Sequence, residues 1–236
     1  IFLGGNYMYG GSDQRKMASW YCVMNQELEI VCQNTLTATM KTDQSSIADI
    51  LVAFTFRGMP VMVEYIRQNE TFSVRLNQLS ADGDVIGRKT LDIADHISAK
   101  DFHALHLYEA LQLSPDTCCL TGVLQYDDDR SFICMLDEHL QIKDIVLLDH
   151  TLIDIEKSGS GFYAMTVADD YTSYEILHSE ALYDAVPIKQ FLSEDEYMRA
   201  PRFILKLDSG SLITLGVCYS PVHGKNEAYI GSLEQF

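Results

Sequence analysis

Residues Trp20-Tyr21-Cys22-Val23-Met24-Asn25-Gln26-Glu27-Leu28-Glu29-Ile30 and Phe132-Ile133-Cys134-Met135-Leu136-Asp137-Glu138-His139-Leu140-Gln141-Ile142 carry one pattern twice. Met24, Asn25, Leu28 and Ile30 of the first match Leu136, Asp137, Leu140 and Ile142 of the second. Each copy is an apolar run, a polar break and a second apolar run, which reads as a β-hairpin. The pattern recurs over residues 72–85, where Ala81-Asp82-Gly83-Asp84 is a plain hairpin turn. It returns more weakly over 174–183 and, cut short, over 228–236.

Working outward, the anchors Met24, Leu79, Leu136, Leu177 and Leu233 stand 55, 57, 41 and 56 residues apart. A second hairpin precedes most copies, clearest over 202–217 and related over 111–122 and 155–166. Each unit therefore reads as four antiparallel strands, A to D. Four-stranded units repeated at this period predict an all-β chain, a β-propeller of at least five blades. A β-sandwich is the rival, but it predicts no such period. The units run about 1–34, 35–92, 93–149, 150–188 and 189–236, within a single propeller domain over 1–236. The first begins at strand B and the last ends at strand C. The outer two blades are thus expected to be incomplete, either because the chain is a piece of a larger propeller or because its ends complete each other.

The motif of an apolar strand, Leu-Asp-x-x-Gly, an apolar strand and then Thr-Gly resembles bacterial β-propeller repeats, six-bladed secreted ones among them. It is carried by Leu136-Asp137, Ala81-Asp82-Gly83, Leu207-Asp208-Ser209-Gly210 and Thr121-Gly122. The resemblance implies a fold and not an activity. It makes a secreted or periplasmic location an expectation, while the sequence itself leaves the compartment open.

Composition narrows the partners. The 236 residues hold 17 Lys and Arg against 34 Asp and Glu, a net charge of −17, which offers no basic stripe for a nucleic-acid backbone. Apolar residues make up 47%, enough for a large core without disulfides or metals. No apolar run reaches the roughly 18 residues of a membrane span. The six cysteines Cys22, Cys32, Cys118, Cys119, Cys134 and Cys218 match no zinc spacing. Four lie in strand-like stretches where a thiol acts as a small hydrophobe. Cys22 and Cys32 face each other if their hairpin is regular, which would allow one disulfide.

In a four-stranded blade the A–B and C–D turns share one end, and the B–C and D–A connections share the other. The C–D turns are short, so the B–C end is the expected working face. It carries Asp127, Asp128, Asp129 and Arg130 from one unit and Asp169, Asp170 and Tyr171 from the next, with Tyr9 and Tyr219 on the same rim. Tyr7 and Tyr126 belong to the same aromatic set. Carboxylates there suit a cationic ligand and tyrosines suit a glycan or a protein, although a solvated acidic turn and packing of the blade rims are the readings that need less. His103 and His106 have metal-like spacing on a helical turn but lack an acidic partner, and no metal or cofactor is expected. Ser158-Gly159-Ser160-Gly161 is no nucleophile elbow.

With no catalytic constellation assembled, the leading reading is a non-catalytic module that binds a protein or a glycan through the loop-rich face. The alternatives are a carbohydrate-active or other small-substrate enzyme, with Asp128 and Asp169 as acid and base, and a structural module of a larger assembly.

Overall fold

The computed structural model describes residues 2–9, 16–36, 46–68, 71–97, 104–125, 130–159, 161–168, 173–179, 186–192, 199–220 and 222–233. Among them stand five sheets, in each of which neighbours in sequence are neighbours in space. The first holds β1 (Phe2–Tyr9), β2 (Lys16–Met24) and β3 (Ile30–Leu36). The second holds β4 (Ser46–Phe56), β5 (Met59–Gln68), β6 (Thr71–Leu79) and β7 (Val85–Leu91), followed by a helical turn, α1 (Ile93–His96). The third holds β8 (Ala104–Ser114), β9 (Thr117–Gln125), β10 (Arg130–Leu136) and β11 (Ile142–Leu147). The fourth holds β12 (Thr151–Ser158), β13 (Gly161–Val167), β14 (Ser173–Ser179) and β15 (Val186–Leu192). The fifth holds β16 (Arg199–Lys206), β17 (Leu212–Ser220) and β18 (Lys225–Leu233).

The chain forms two compact units, residues 1–127 with 134–145 and residues 128–133 with 146–236. In the first, β4 packs beside both β1 and β8; in the second, β12 packs beside β16. Within each unit the leading strands of successive sheets are therefore neighbours, as the inner strands of propeller blades are. The fold is an all-β propeller of antiparallel blades. Among the described residues the first sheet lacks strand A and the last lacks strand D.

Burial follows position in the blade. The second strands β9 and β13 are buried on both faces almost throughout. Their sequences, Thr117–Gln125 and Gly161–Val167, are accordingly apolar runs without polar alternation. The outer strand β7 instead alternates between half-buried and exposed positions. In the second unit Met165 and Ile176 of the fourth sheet close on Ile204 and Leu212 of the fifth. In the first, Tyr21 joins Met62 and Leu79, with Cys32 and Val85 against them. Glu64, 1% exposed, enters the second sheet only as a pair: Arg75 Nε donates to it at 2.8 Å and Asn77 Nδ2 at 2.6 Å.

The repeat is written most plainly in its turns. Residues 25–29, 80–84 and 137–141, the C–D turns of the first three sheets, and 207–211, the A–B turn of the fifth, share one pair of backbone bonds. The first N–H donates to the last carbonyl, and the fourth N–H donates to the first carbonyl. The fourth residue is left-handed each time: Leu28 (φ 63), Gly83 (φ 87), Leu140 (φ 57) and Gly210 (φ 86). Only glycine adopts this conformation freely, and another residue costs about 1–2 kcal/mol. Leu140 offsets the strain by burying its side chain, whereas Leu28 stays 60% exposed. The first residue also braces three turns: Asn25 Oδ1 and Ser80 Oγ each accept from the fifth N–H, and Asp137 Oδ1 accepts from the third and the fifth.

Three expectations are corrected. Val23 lies opposite Cys32 but Met24 lies opposite Ile30, so a bulge at Val31 moves Cys22 opposite Gln33. A one-residue shift sends the two thiols to opposite faces, and both are free. Tyr7 and Tyr9 lie within β1, and Tyr219 within β17, rather than in loops. His106 lies in strand β8 and not on a helical turn; His103 is outside the described residues.

Leu136 is fully buried, so Leu136→Ala is expected to lower unfolding free energy by about 2–5 kcal/mol in urea titration. The glycines separate strain from crowding. At Gly210 an added Cβ meets nothing within 4 Å, so Gly210→Ala should cost about 1–2 kcal/mol from backbone strain alone. At Gly83 it would sit 1.9 Å from Cys32 Sγ, so Gly83→Ala should cost clearly more. Adding Cys32→Ala should restore part of the difference.

Candidate functional site

The described residues place three of the expected site residues at the B–C ends of their own strands. Tyr9 closes β1 opposite Lys16, exposed Arg130 opens β10, and Tyr219 stands next to the last residue of β17, opposite Asn226. Asp127, Asp128, Asp129, Asp169, Asp170, Tyr171 and Tyr126 lie outside the described residues, and with them the grouping of Asp128 with Asp169. Among the described residues no cluster of three or more His, Cys, Asp or Glu is placed to hold a metal ion.

The opposite end is structural. Arg57, in the A–B turn of the second sheet, donates to Pro115 O at 3.0 Å, Asp116 Oδ1 at 2.5 Å and Glu138 Oε2 at 3.0 Å. Asp116 belongs to the A–B turn of the third sheet and Glu138 to its C–D turn, so both turns share one end. Lys89 Nζ donates to His139 O at 2.8 Å, and the Tyr21 hydroxyl donates to Gly83 O. These bonds stitch sheet to sheet. The exposed ion pairs among them contribute little energy each but fix the relative setting of the turns.

Three buried thiols of the third sheet are held protonated. Burial pushes Cys118 and Cys134 each up to about 12 and raises Cys119 further, so none carries thiolate character near neutral pH. The linkage has a definite sign. The folded chain keeps these protons while the unfolded chain, with thiols near 9, loses them. Stability from this source is complete below pH about 9 and declines as pH rises towards 12. Native protein at pH 8 should therefore leave Cys118, Cys119 and Cys134 unlabelled by iodoacetamide, with labelling confined to other cysteines. Urea midpoints should fall between pH 9 and 11, by less in a Cys118→Ala variant.

The surface that stands out lies in the fifth sheet. Its register sets Phe203 opposite Leu215 and Leu215 opposite Ile230, a row across three strands. Ile204, Leu212 and Thr214 point the other way and are buried against the fourth sheet. There the Ile204 N–H donates to Asp154 Oδ2 at 2.7 Å, and Lys206 Nζ sits 5.7 Å from the centre of the Tyr163 ring. The row faces outward: Phe203 is 56% exposed and Ile230 74%, and Leu205 and Val217 on the same face are also exposed. The alternation explains it. Phe203-Ile204-Leu205 is apolar on both faces, as a blade strand with two neighbours would be, and among the described residues only one face is covered. That two-faced run was legible in the sequence; which face would be open was not.

No protein-family model matches the chain, and no curated protein matches it. Among solved structures it is similar to the β-propeller domain of Nup133 from Vanderwaltozyma polyspora, with 11% identity and a TM-score of 0.50, over 93% of this chain and 68% of that one. It is also similar to an exo-β-1,3-galactanase from Phanerochaete chrysosporium, with 10% identity and a TM-score of 0.46, over 99% of this chain and 64% of that one. A third is an exo-1,5-α-L-arabinanase from a bovine ruminal metagenomic library, with 10% identity and a TM-score of 0.40, over 95% of this chain and 91% of that one. The chain thus spans less than two thirds of the galactanase. At these identities the Nup133 likeness speaks for the propeller fold alone, and the two hydrolase likenesses carry nothing about activity.

Proposed function

We propose that the chain is a non-catalytic interaction module that binds a protein through the outward face of its fifth sheet. The observation that carries this is the open apolar row of Phe203, Leu215 and Ile230, flanked by Leu205 and Val217. Contiguous apolar patches of this kind mark protein–protein contacts on soluble domains. Their centres are apolar and aromatic, with charge at the rim. A flat strand surface presents no cleft for a small substrate, which favours a protein over a glycan.

The loop-rich end keeps a secondary part in the proposal. Arg130, Tyr9 and Tyr219, with Asp127, Asp128, Asp129, Asp169, Asp170 and Tyr171, are the groups we assign to a second contact there. The resemblance to secreted bacterial repeats is part of the same proposal and makes an extracellular or periplasmic partner the expected one.

The test sets wild type beside Phe203→Asp, with matching far-UV circular dichroism as the control for folding. Each is immobilised and offered extract of the native cells, and each is separately assayed on a panel of aryl glycosides. The expected result is a protein retained by wild type, lost by Phe203→Asp, and no glycoside turnover by either. Turnover, or equal retention by both, would contradict the proposal.

A further inference from the structure

The leading strand of a blade has a strand partner on one side only. β16 pairs with β17, and among the described residues no strand pairs with its other edge. In an antiparallel pair successive N–H groups point alternately towards the partner and away from it, so groups two residues apart share a direction. Ile204 and Lys206 are two residues apart, and both N–H groups go to carboxylates of β12. The Ile204 N–H donates to Asp154 Oδ2 at 2.7 Å, and the Lys206 N–H donates to the Glu156 carboxylate.

The acceptors are spaced to match. Asp154 lies opposite Met165 and Glu156 opposite Tyr163. Met165 and Tyr163 both pack in the cluster shared with the fifth sheet, so the two carboxylates lie on that same face, two residues apart. The register shift between Leu152 and Asp154 sets their phase. β12 thus offers side-chain oxygens at the two-residue spacing at which a paired strand would offer carbonyls.

A strand would bring neutral acceptors, whereas this edge brings two like charges. Glu156 is half-buried, and burial, then the neighbouring Asp154 carboxylate, raise it above its ordinary value of 4.5, while the Lys206 N–H and ammonium pull the other way. The other titratable groups around it are Tyr163 on β13, His178 on β14, whose ring centre lies 4.7 Å from that of Tyr163, and Lys206 on β16. The folded chain therefore holds the Glu156 proton more firmly than the unfolded chain does. The stability that this proton contributes is complete below pH 4.5 and is lost as pH rises through the raised value.

We propose that β12 is an acid-tightened clasp on β16: Asp154 and Glu156 stand in for a partner strand, and the junction of the fourth and fifth sheets holds more firmly when Glu156 takes up a proton. One proton removes the repulsion between the two carboxylates, and the carbonyl oxygen of the neutral acid still accepts from the Lys206 N–H. This goes beyond the proposed function, because it concerns the covered face of the fifth sheet and needs no partner at the other.

The experiment is amide hydrogen exchange of the whole chain by NMR, wild type beside Glu156→Gln, whose amide is a fixed analogue of the neutral acid. Exchange is corrected for the intrinsic effect of pH. At about pH 7.5 the Ile204 and Lys206 amides of Glu156→Gln should be protected about two- to fivefold more than those of wild type, and the difference should narrow at about pH 5.2. Leu120 of the third sheet should exchange alike in both chains. Glu156→Gln leaves His178 and Lys206 in place, so the comparison isolates the carboxyl. The carboxyl carbon of Glu156 in wild type is titrated as well, which tests the clasp even where the variant fails to fold. Its midpoint should lie above 4.5 and move down in Asp154→Asn. Equal protection of the two chains at both pH values, a gain shared by Leu120, or a Glu156 midpoint at or below 4.5 would overturn the proposal.

Discussion

A β-sheet that is apolar on both faces must have both faces covered, and the rest of this structure depends on meeting that condition. The inner strands leave little choice. β9 and β13 place side chains such as Cys119, Leu120, Phe162 and Met165 on alternate sides of the sheet, and all of these are buried. Two sheets set face to face satisfy one face each and leave another of the same kind behind. Repetition follows from the physics as much as from the sequence period: each added sheet covers one apolar face and exposes the next. The polar contacts are subordinate. Arg57, Lys89, Tyr21 and Asp154 tie a sheet to its neighbour at the turns or at the sheet margin. They set angles between surfaces already held by burial, and each fully buried Leu or Phe adds roughly 1.5–3 kcal/mol.

Much of this was legible in the residues. The match of Met24, Asn25, Leu28 and Ile30 to Leu136, Asp137, Leu140 and Ile142 located a C–D turn whose hydrogen bonds are the same in three sheets and recur in the A–B turn of the fifth. The pattern worked because the turn constrains several positions at once: a capping side chain first, a left-handed residue fourth and an apolar residue beyond. What escaped it was local. The bulge at Val31 separates Cys22 from Cys32, and nothing in Glu29-Ile30-Val31-Cys32 announces an extra residue. A left-handed Leu28 or Leu140 contradicts the usual choice of glycine, and only the parallel with Gly83 and Gly210 gives it away. The strands also outran their expected ends at Tyr9 and Tyr219, since a tyrosine suits a strand as well as a rim.

The site was less legible than the fold for a physical reason. Strand alternation tells which residues share a face, but it does not tell whether a neighbour covers that face. Phe203, Leu205, Leu215 and Ile230 read as interior residues, and their composition is that of interior residues. Their exposure depends on what lies beside the sheet and not on any motif. The acidic cluster at 127–129 drew attention in the sequence because charge is conspicuous. The surface that the described structure singles out is conspicuous only for its lack of charge.

The central claim is that the fifth sheet has one covered face and one open face. Carbene footprinting of the folded chain at low concentration, read residue by residue by mass spectrometry, tests it most directly. The account predicts strong labelling of Phe203 and Ile230, with Ile204 and Leu212 of the same sheet protected. Equal protection of all four would mean that both faces are covered, and labelling of Ile204 and Leu212 in place of Phe203 and Ile230 would reverse the faces and contradict the account.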